Sequence, residues 1–446
     1  MSEHLDKVLT KIGYQLLKSH LTDDQLIKIR SDLTISPIVD DRYVSTPPEY
    51  KFYKEVSWGI IVPKQYGIDE FGKPANTTLP EPQKIDIICE TEPYDFQKEV
   101  WAKMVDIYEK PIAGGTMSIP CGFGKTFLAI KLISLLKVKT MIIAHNATIM
   151  EQWRSEIGRF ATHSDGTPLT IGIIQQDSFQ IDVDVSICML MSIATRCPTG
   201  KYDYMEFKQF GLVIYDEAHH LPAEIFSQSL SYLTCRRSLA LSATLDRKDG
   251  MIAALYKYVG NPFHIYKRTE CVGDVVMLKS NIVPIGSSYQ SLIVSLSTNE
   301  DRNKLLMTTL TNLHSDESNK ILVITLTREH VEFLFEQCKL ITSTVVKYYG
   351  GCRDLLACKS SELIIGTMSM AKEGLNLPHI NTIVFASPPG CDISTIEQSI
   401  GRAMRLVDGM PRPCKIFDII DKHVIFVNHW KKRKTYYESI GLKIIK

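Results

Sequence analysis

Met117–Thr126 reads MSIPCGFGKT. A short apolar run, Thr116–Ile119, enters a turn carrying two glycines, and a helix-forming run, Phe127–Leu136, leaves it. Strand, glycine-bearing loop and helix in that order form the setting a nucleotide phosphate chain needs. Gly122 and Gly124 let backbone N–H groups come close to phosphate oxygens. Lys125 reaches the β- and γ-phosphates, and Thr126 offers a hydroxyl to Mg²⁺. The general G-x-x-x-x-GK[ST] pattern is met except at its first position, where Ile119 replaces glycine.

Working outward, the apolar run Leu212–Tyr215 is followed at once by Asp216, Glu217, Ala218 and His219. An apolar strand ending in two acids sets them at the carboxyl edge of a parallel sheet, where ligands of such sheets bind. Asp216 then holds the metal and Glu217 orients and deprotonates an attacking water. After a further apolar run, Ser242 and Thr244 can bond the acids and pass on the nucleotide state. A helix expected through Ser394–Met404 places Gln398, Arg402 and Arg405 on one face. Two such guanidiniums are suited to act as arginine fingers on a γ-phosphate.

These four motifs together resemble those of the superfamily 2 helicases and translocases, over most of residues 90–420. The resemblance implies an α/β fold of two tandem RecA-like parallel-sheet domains, with ATP and Mg²⁺ as cofactors. ATP is then expected in the cleft between the two domains, with Arg402 and Arg405 engaging as it closes. It also implies that Gln97, in Tyr94-Asp95-Phe96-Gln97, reads adenine. Gln152 and Trp153, in NATIMEQW (146–153), together with Thr325 and Thr367, are implied contacts to nucleic acid. Gly374 and Asn376, in EGLNLP (373–378), fall at the nucleotide-binding motif V, with Asn376 where the family usually has Asp.

Within that superfamily, YDEAHHLPAEIF (215–226) and LALSATLDRKD (239–249) are similar to the xeroderma pigmentosum group B type. Lys248 departs from the Arg-Glu-Asp of that type. DLTISP (32–37) and VPKQYG (62–67) resemble stretches in the compact helicases of poxviruses, other large DNA viruses and phages. RNA helicases of the DEAH box usually begin motif VI with Gln-Arg, whereas Ser399 follows Gln398 here, so the resemblance favours DNA over RNA.

The chain has 446 residues, 44% hydrophobic and 23% charged, with a formal net charge of +1. That composition is ordinary for globular protein and gives no global basic field, so any nucleic-acid surface must be local. Eleven cysteines show no CxxC pairing and no zinc spacing, which suits free thiols in a reducing compartment. No apolar run is long enough to span a bilayer. An intracellular location is expected, host cytoplasm or virion for a viral protein.

Alternating apolar runs and helical stretches from Glu90 onward argue a parallel layout. Strands are expected at Thr116–Ile119, Thr140–Ala144, Val185–Met189, Leu212–Tyr215 and Ser238–Leu241. A second set follows at Ile321–Thr325, Thr344–Tyr348, Leu363–Gly366, Thr382–Ala386 and Lys415–Asp418. Gly260-Asn261-Pro262 marks a boundary near residue 265. The expected domains are therefore 1–88, a small β-rich or mixed accessory domain, then 89–265 and 266–446.

Three features keep two readings each. The aromatics and lysines of Tyr50–Tyr66 form either a base-stacking surface or the core of a small β-rich domain. Lys431-Lys432-Arg433-Lys434 either tracks a phosphate backbone or ends a solvated helix. Cys121 is either an activated thiol at the helix N-terminus or an inert filler. The function expected is ATP-dependent movement on DNA, 3′→5′ by resemblance, in transcript release, recombination or repair, with a transcription complex as one partner. An RNA-directed helicase and a partner-dependent ATP clamp are the alternatives.

Overall fold

The computed structural model describes residues 7–38, 47–120, 122–217, 229–242, 250–266, 271–352, 354–369, 377, 379–401, 403–404, 406–407 and 410–445. The chain divides into two compact units, residues 1–266 without 120–123, and 267–446 with 120–123. Each unit is built on one large sheet.

In the first unit the sheet has eight strands. Their order is Ser178–Phe179, Ile171–Gln175, Val185–Met189, Thr140–Ala144, Leu212–Asp216, Arg237–Ser242, Ala113–Ser118 and Pro262–Ile265. Every pairing is parallel except the short hairpin at the Ser178–Phe179 edge. Parallel strands are covered on both faces, so they read as continuous apolar runs, and the runs at 140–144, 185–189 and 212–216 are of that kind. Ile171–Gln175 and Pro262–Ile265 were not among the expected strands; both carry polar or glycine residues that interrupt the apolar run.

The second unit has a seven-stranded, wholly parallel sheet. Its order is Val345–Tyr348, Leu363–Thr367, Ile321–Thr325, Thr382–Phe385, Cys414–Ile420, Gly273–Lys279 and Lys443–Ile445. Alternation along a strand sends successive side chains to opposite faces. Leu322 and Ile324 thus join one buried cluster, with Ile364, Phe385 and Ile396, while Ile321 and Val323 join another, with Leu306, Leu334 and Ile365.

The amino-terminal segment forms a five-stranded sheet, ordered Lys54–Glu55, Gly59–Val62, Gly13–Leu17, Lys7–Thr10 and Asn76–Thr77. Its apolar face shares one core with the first parallel sheet: Tyr14, Leu16, Phe52, Ile60 and Tyr66 pack in the same cluster as Met141, Val213 and Tyr215. Two buried lysines fasten the join. Lys11 Nζ donates to Thr234 O at 2.8 Å, and Lys64 Nζ donates to Ala113 O at 2.9 Å and Ser238 Oγ at 2.8 Å. Within Tyr50–Tyr66, Phe52, Lys64 and Tyr66 belong to the core, whereas Lys51, Lys54 and Trp58 are exposed.

The basic run near the carboxyl end divides: Arg433 points inward, while Lys431, Lys432 and Lys434 face solvent. It lies inside the helix Val424–Ser439, where Arg433 is buried and makes a two-pronged pair with Asp418, Nε to Oδ2 and Nη2 to Oδ1, each at 2.8 Å. The helix expected through Ser394–Met404 is shorter than anticipated, running Ile393–Ile400, with Asp392 capping its start and Gly401 its end.

Candidate nucleotide site

The site residues converge because three adjacent parallel strands end together. Ala113–Ser118, Arg237–Ser242 and Leu212–Asp216 are neighbours, with Ser118 level with Ser242 and Leu241 level with Asp216. The loop after Ala113–Ser118 turns into the helix Lys125–Leu136 through Gly122 and Gly124, at φ +82° and +89°. L side chains rarely adopt that region. A Cβ on Gly124 would also lie 2.4 Å from Gln97 Nε2, so the loop needs glycine there for space as well as for conformation.

Lys125 is the first residue of that helix and is nearly buried. Its Nζ lies 3.1 Å from Glu217 Oε1. Glu217 has φ +46°, a left-handed conformation in a residue that is not glycine. Such a backbone costs on the order of 1–3 kcal/mol and persists where the surroundings enforce it, often at functional sites.

Asp216 occupies the last position of its strand. Burial, then the neighbouring Glu217 charge, raises its carboxyl to about 6; Lys125 and the Trp153 hydrogen bond oppose the rise. Its Oδ2 accepts from Trp153 Nε1 at 2.8 Å. Sequence reasoning put Trp153 on the nucleic-acid surface, and the structure corrects this. The indole is 0% exposed, on the inward face of the helix Ala147–Phe160, and no base can stack on it. The apolar positions of that helix were visible in the sequence; its partner, a strand away, was not. Gln152, next to it, is half-buried.

Gln97 sits at the third position of the helix Asp95–Tyr108, buried against the phosphate loop. Its Oε1 accepts from Tyr94 N at 3.0 Å, a bond that uses one of its two lone pairs and fixes the amide's orientation. Thr126 is half-buried beside Lys125, and Ser242 is buried at its strand end.

Thr325 and Thr367 end adjacent strands in register. The Thr325 hydroxyl is wholly buried, bonded to His330 Nδ1 at 2.8 Å and Ser387 Oγ at 2.7 Å. Thr367 is nearly buried, its hydroxyl 3.2 Å from Ser369 Oγ. Gln398 is buried on the helix Ile393–Ile400. Cys121, Thr244, Lys248, Gly374, Asn376, Arg402 and Arg405 lie outside the described residues.

No group of three or more His, Cys, Asp or Glu suited to a metal occurs among the described residues. The donor set is instead that of a cation shared with phosphate oxygens: one hydroxyl, one strand-end carboxylate, and a glycine cradle in front of them. The residues present fit Mg²⁺ bound with a nucleotide. The ten described cysteines are free thiols, and no helix among the described residues is long and apolar enough to cross a membrane.

Residues 90–247 match the family described as the res subunit of type III restriction enzymes, and residues 301–407 match the helicase conserved C-terminal domain. The protein L396 of Acanthamoeba polyphaga mimivirus, a presumed ATP-dependent RNA helicase, is 26% identical over 474 residues, covering 98% of this chain and 86% of that one. The DNA repair helicase/translocase XPB-R of Trypanosoma brucei brucei is 23% identical over 408 residues, covering 74% of this chain and 52% of that one. Among solved structures, S. cerevisiae Dbp5 bound to RNA and ADP BeF3 has a TM-score of 0.59 at 15% identity, over 80% of this chain and 90% of that chain, a likeness of fold. The chain belongs to the superfamily 2 helicases, ATP-dependent enzymes acting on nucleic acid, and is similar within them to the xeroderma pigmentosum group B type and to helicases of large DNA viruses.

Proposed function

We propose that this chain is a DNA-stimulated ATPase that moves 3′→5′ along DNA, with the sites assigned as follows. Lys125 and the backbone of the Gly122–Gly124 loop take the β- and γ-phosphates. Thr126 and Asp216 hold Mg²⁺, which when bound would offset the phosphate charge. Glu217 orients and deprotonates the attacking water. Gln97, Gly374 and Asn376 contact the nucleoside, and Gln398, Arg402 and Arg405 act on the γ-phosphate. Ser242 and Thr244 relay the nucleotide state. Gln152, Thr325 and Thr367 lie at the contact with nucleic acid. The domains are residues 1–88, 89–265 and 266–446.

The observation that carries the ATPase reading is the Lys125–Glu217 pair at 3.1 Å, on a strained turn facing a glycine loop. In this state the ammonium occupies the carboxylate that has to act as base. An incoming phosphate competes for the ammonium and frees Glu217 for water, so substrate binding and activation of the base are a single exchange of partners. The similarity of residues 215–226 and 239–249 to the group B type favours DNA. The name of the mimivirus relative, which spans nearly the whole chain, favours RNA as the second reading. Kinship with viral proteins suggests work in transcript release or recombination, in host cytoplasm or virion, alongside a transcription complex.

The test is the ATPase rate with single-stranded DNA, double-stranded DNA and RNA at several salt concentrations. DNA should stimulate it and RNA should not. Stimulation by RNA alone overturns the DNA assignment. Tight ATP binding with no turnover on any nucleic acid would instead mark a partner-dependent clamp. Glu217→Gln should keep ATP binding while turnover falls by about 10²- to 10⁴-fold.

A further inference from the structure

Trp153 makes a bond that the assignments above leave unused. Its indole N–H is a donor only, and it ends on Oδ2 of Asp216 at 2.8 Å. That bond occupies one carboxylate oxygen and fixes the rotation of the group. The ring is 0% exposed, so it cannot swing away without opening the core. The helix carrying it, Ala147–Phe160, is itself anchored at its start, where Asn146 Oδ1 accepts from Ile149 N at 2.9 Å. That start follows the strand Thr140–Ala144, the immediate neighbour of Leu212–Asp216. On the opposite side, the helix presents Glu151, Arg154, Ser155 and Arg159 to solvent, with Gln152 at the margin.

One rigid element therefore has a polar outer face and an inner donor clamped on a strand-end carboxylate. A turn or slide of the helix caused by a ligand on the outer face is delivered to Asp216 through a single hydrogen bond. We infer that Trp153 is a positioning residue: it sets the orientation of the Asp216 carboxylate and couples it to nucleic acid bound along the helix 147–160. This rests on the assignments of Asp216 and of Gln152 made above.

The test is Trp153→Phe, which keeps a ring in the core and removes the N–H. Two readouts are needed. In the first, binding of a fluorescent ATP analogue is titrated with Mg²⁺ and compared with binding in EDTA. Loss of a partner that orients a metal ligand typically weakens metal binding 10- to 100-fold. The Mg²⁺ midpoint should therefore rise by about tenfold or more, with affinity in EDTA unchanged. In the second, the ratio of DNA-stimulated to basal ATPase rate should fall further than the basal rate itself. A Trp153→Phe variant whose Mg²⁺ titration and stimulation ratio both match the parent overturns the inference. Where the variant proves too unstable to use, the unmutated protein labelled with 5-fluorotryptophan gives a second answer. The resonance of Trp153, one of four tryptophans, should shift when Mg²⁺ is added to the ATP complex and not when ATP is added with EDTA. No such shift also overturns it. A parent protein that no nucleic acid stimulates refutes the broader functional reading instead, a result that the Mg²⁺ titration keeps separate.

Discussion

Both parallel sheets bury charge near their strand ends, and they do so to opposite purpose. In the first unit Lys125 faces the Glu217 carboxylate at 3.1 Å, on a turn held at φ +46°. In the second, Arg433 is tied to Asp418 by two bonds of 2.8 Å and to Pro389 O at 2.7 Å, and Asp418 also accepts from Tyr437 at 3.2 Å. Arg302 behaves like Arg433: it pairs with Asp421 at 2.8 Å and donates to Ala386 O, all of it out of solvent. A guanidinium tied to a strand acid and to backbone carbonyls belongs to the scaffold. Under the function proposed above, an ammonium whose partner sits on a strained turn, beside a glycine loop, serves a ligand. The difference teaches that burial of a charge says little by itself; the backbone that carries its partner decides.

That contrast can be broken most sharply at Lys125. Lys125→Met should lower nucleic-acid-stimulated ATPase turnover by about 10² to 10³, the loss typical of one preorganised donor. Its unfolding free energy should fall by less than that of the Arg433 variant below, since the Glu217 side chain is 18% exposed and water can hydrate it once the cation is gone, whereas Asp418 is wholly buried. A large loss of stability with turnover preserved would place Lys125 with the scaffold.

Arg433→Met should show the reverse. It leaves Asp418 buried without its cation, which costs about 3–5 kcal/mol, read as a lowered midpoint in urea. A midpoint unchanged from the parent would mean that this pair is dispensable.

Lys64 sharpens the comparison through pH. Burial lowers its ammonium to about 8, from 10.5. Between those values the unfolded chain holds the proton and the folded chain has released it, so this residue's contribution to stability rises with pH across that window. Below pH 8 the full cost of burying the charge is present. Relative to Lys64→Met, the parent should gain up to about 3 kcal/mol between pH 8 and 10.5. Parallel stability curves would show that the ammonium is hydrated.

The smallest effect concerns Gly158, within the helix Ala147–Phe160, where an added Cβ meets nothing within 4 Å. Gly158→Ala should stabilise the protein by about 0.5–1 kcal/mol, measured by thermal unfolding. Loss of DNA stimulation in that variant would reveal that the outer face of the helix is in use.

What the sequence made legible follows from how local each signal is. Thr140–Ala144, Val185–Met189 and Ile321–Thr325 fall where expected because a strand covered on both faces has to be apolar throughout. Gly273–Lys279 escaped notice because its ends, Asp274 and Lys279, interrupt that run. Lys125, Asp216 and Glu217 could be proposed from the sequence because each stands next to a recognisable strand or loop. Trp153 and Arg433 were harder for one common reason. Each belongs to a helix, and what makes it structural is an acceptor, Asp216 or Asp418, on a separate strand. The chain's order does not display such meetings; only packing does.

The shared core beneath the amino-terminal sheet has an inheritance consequence. A segment that sends Lys11 and Lys64 into the base of the neighbouring sheet, and shares one core, Tyr14 and Phe52 included, with that sheet's Met141, Val213 and Tyr215, is no detachable module. Trimming the chain to residues 89–446 would leave the Thr234 and Ala113 carbonyls to water and bare an oily flank. Front-end diversity among cousins of this motor should accordingly be limited to loops, with the flank itself handed down together with the engine it covers.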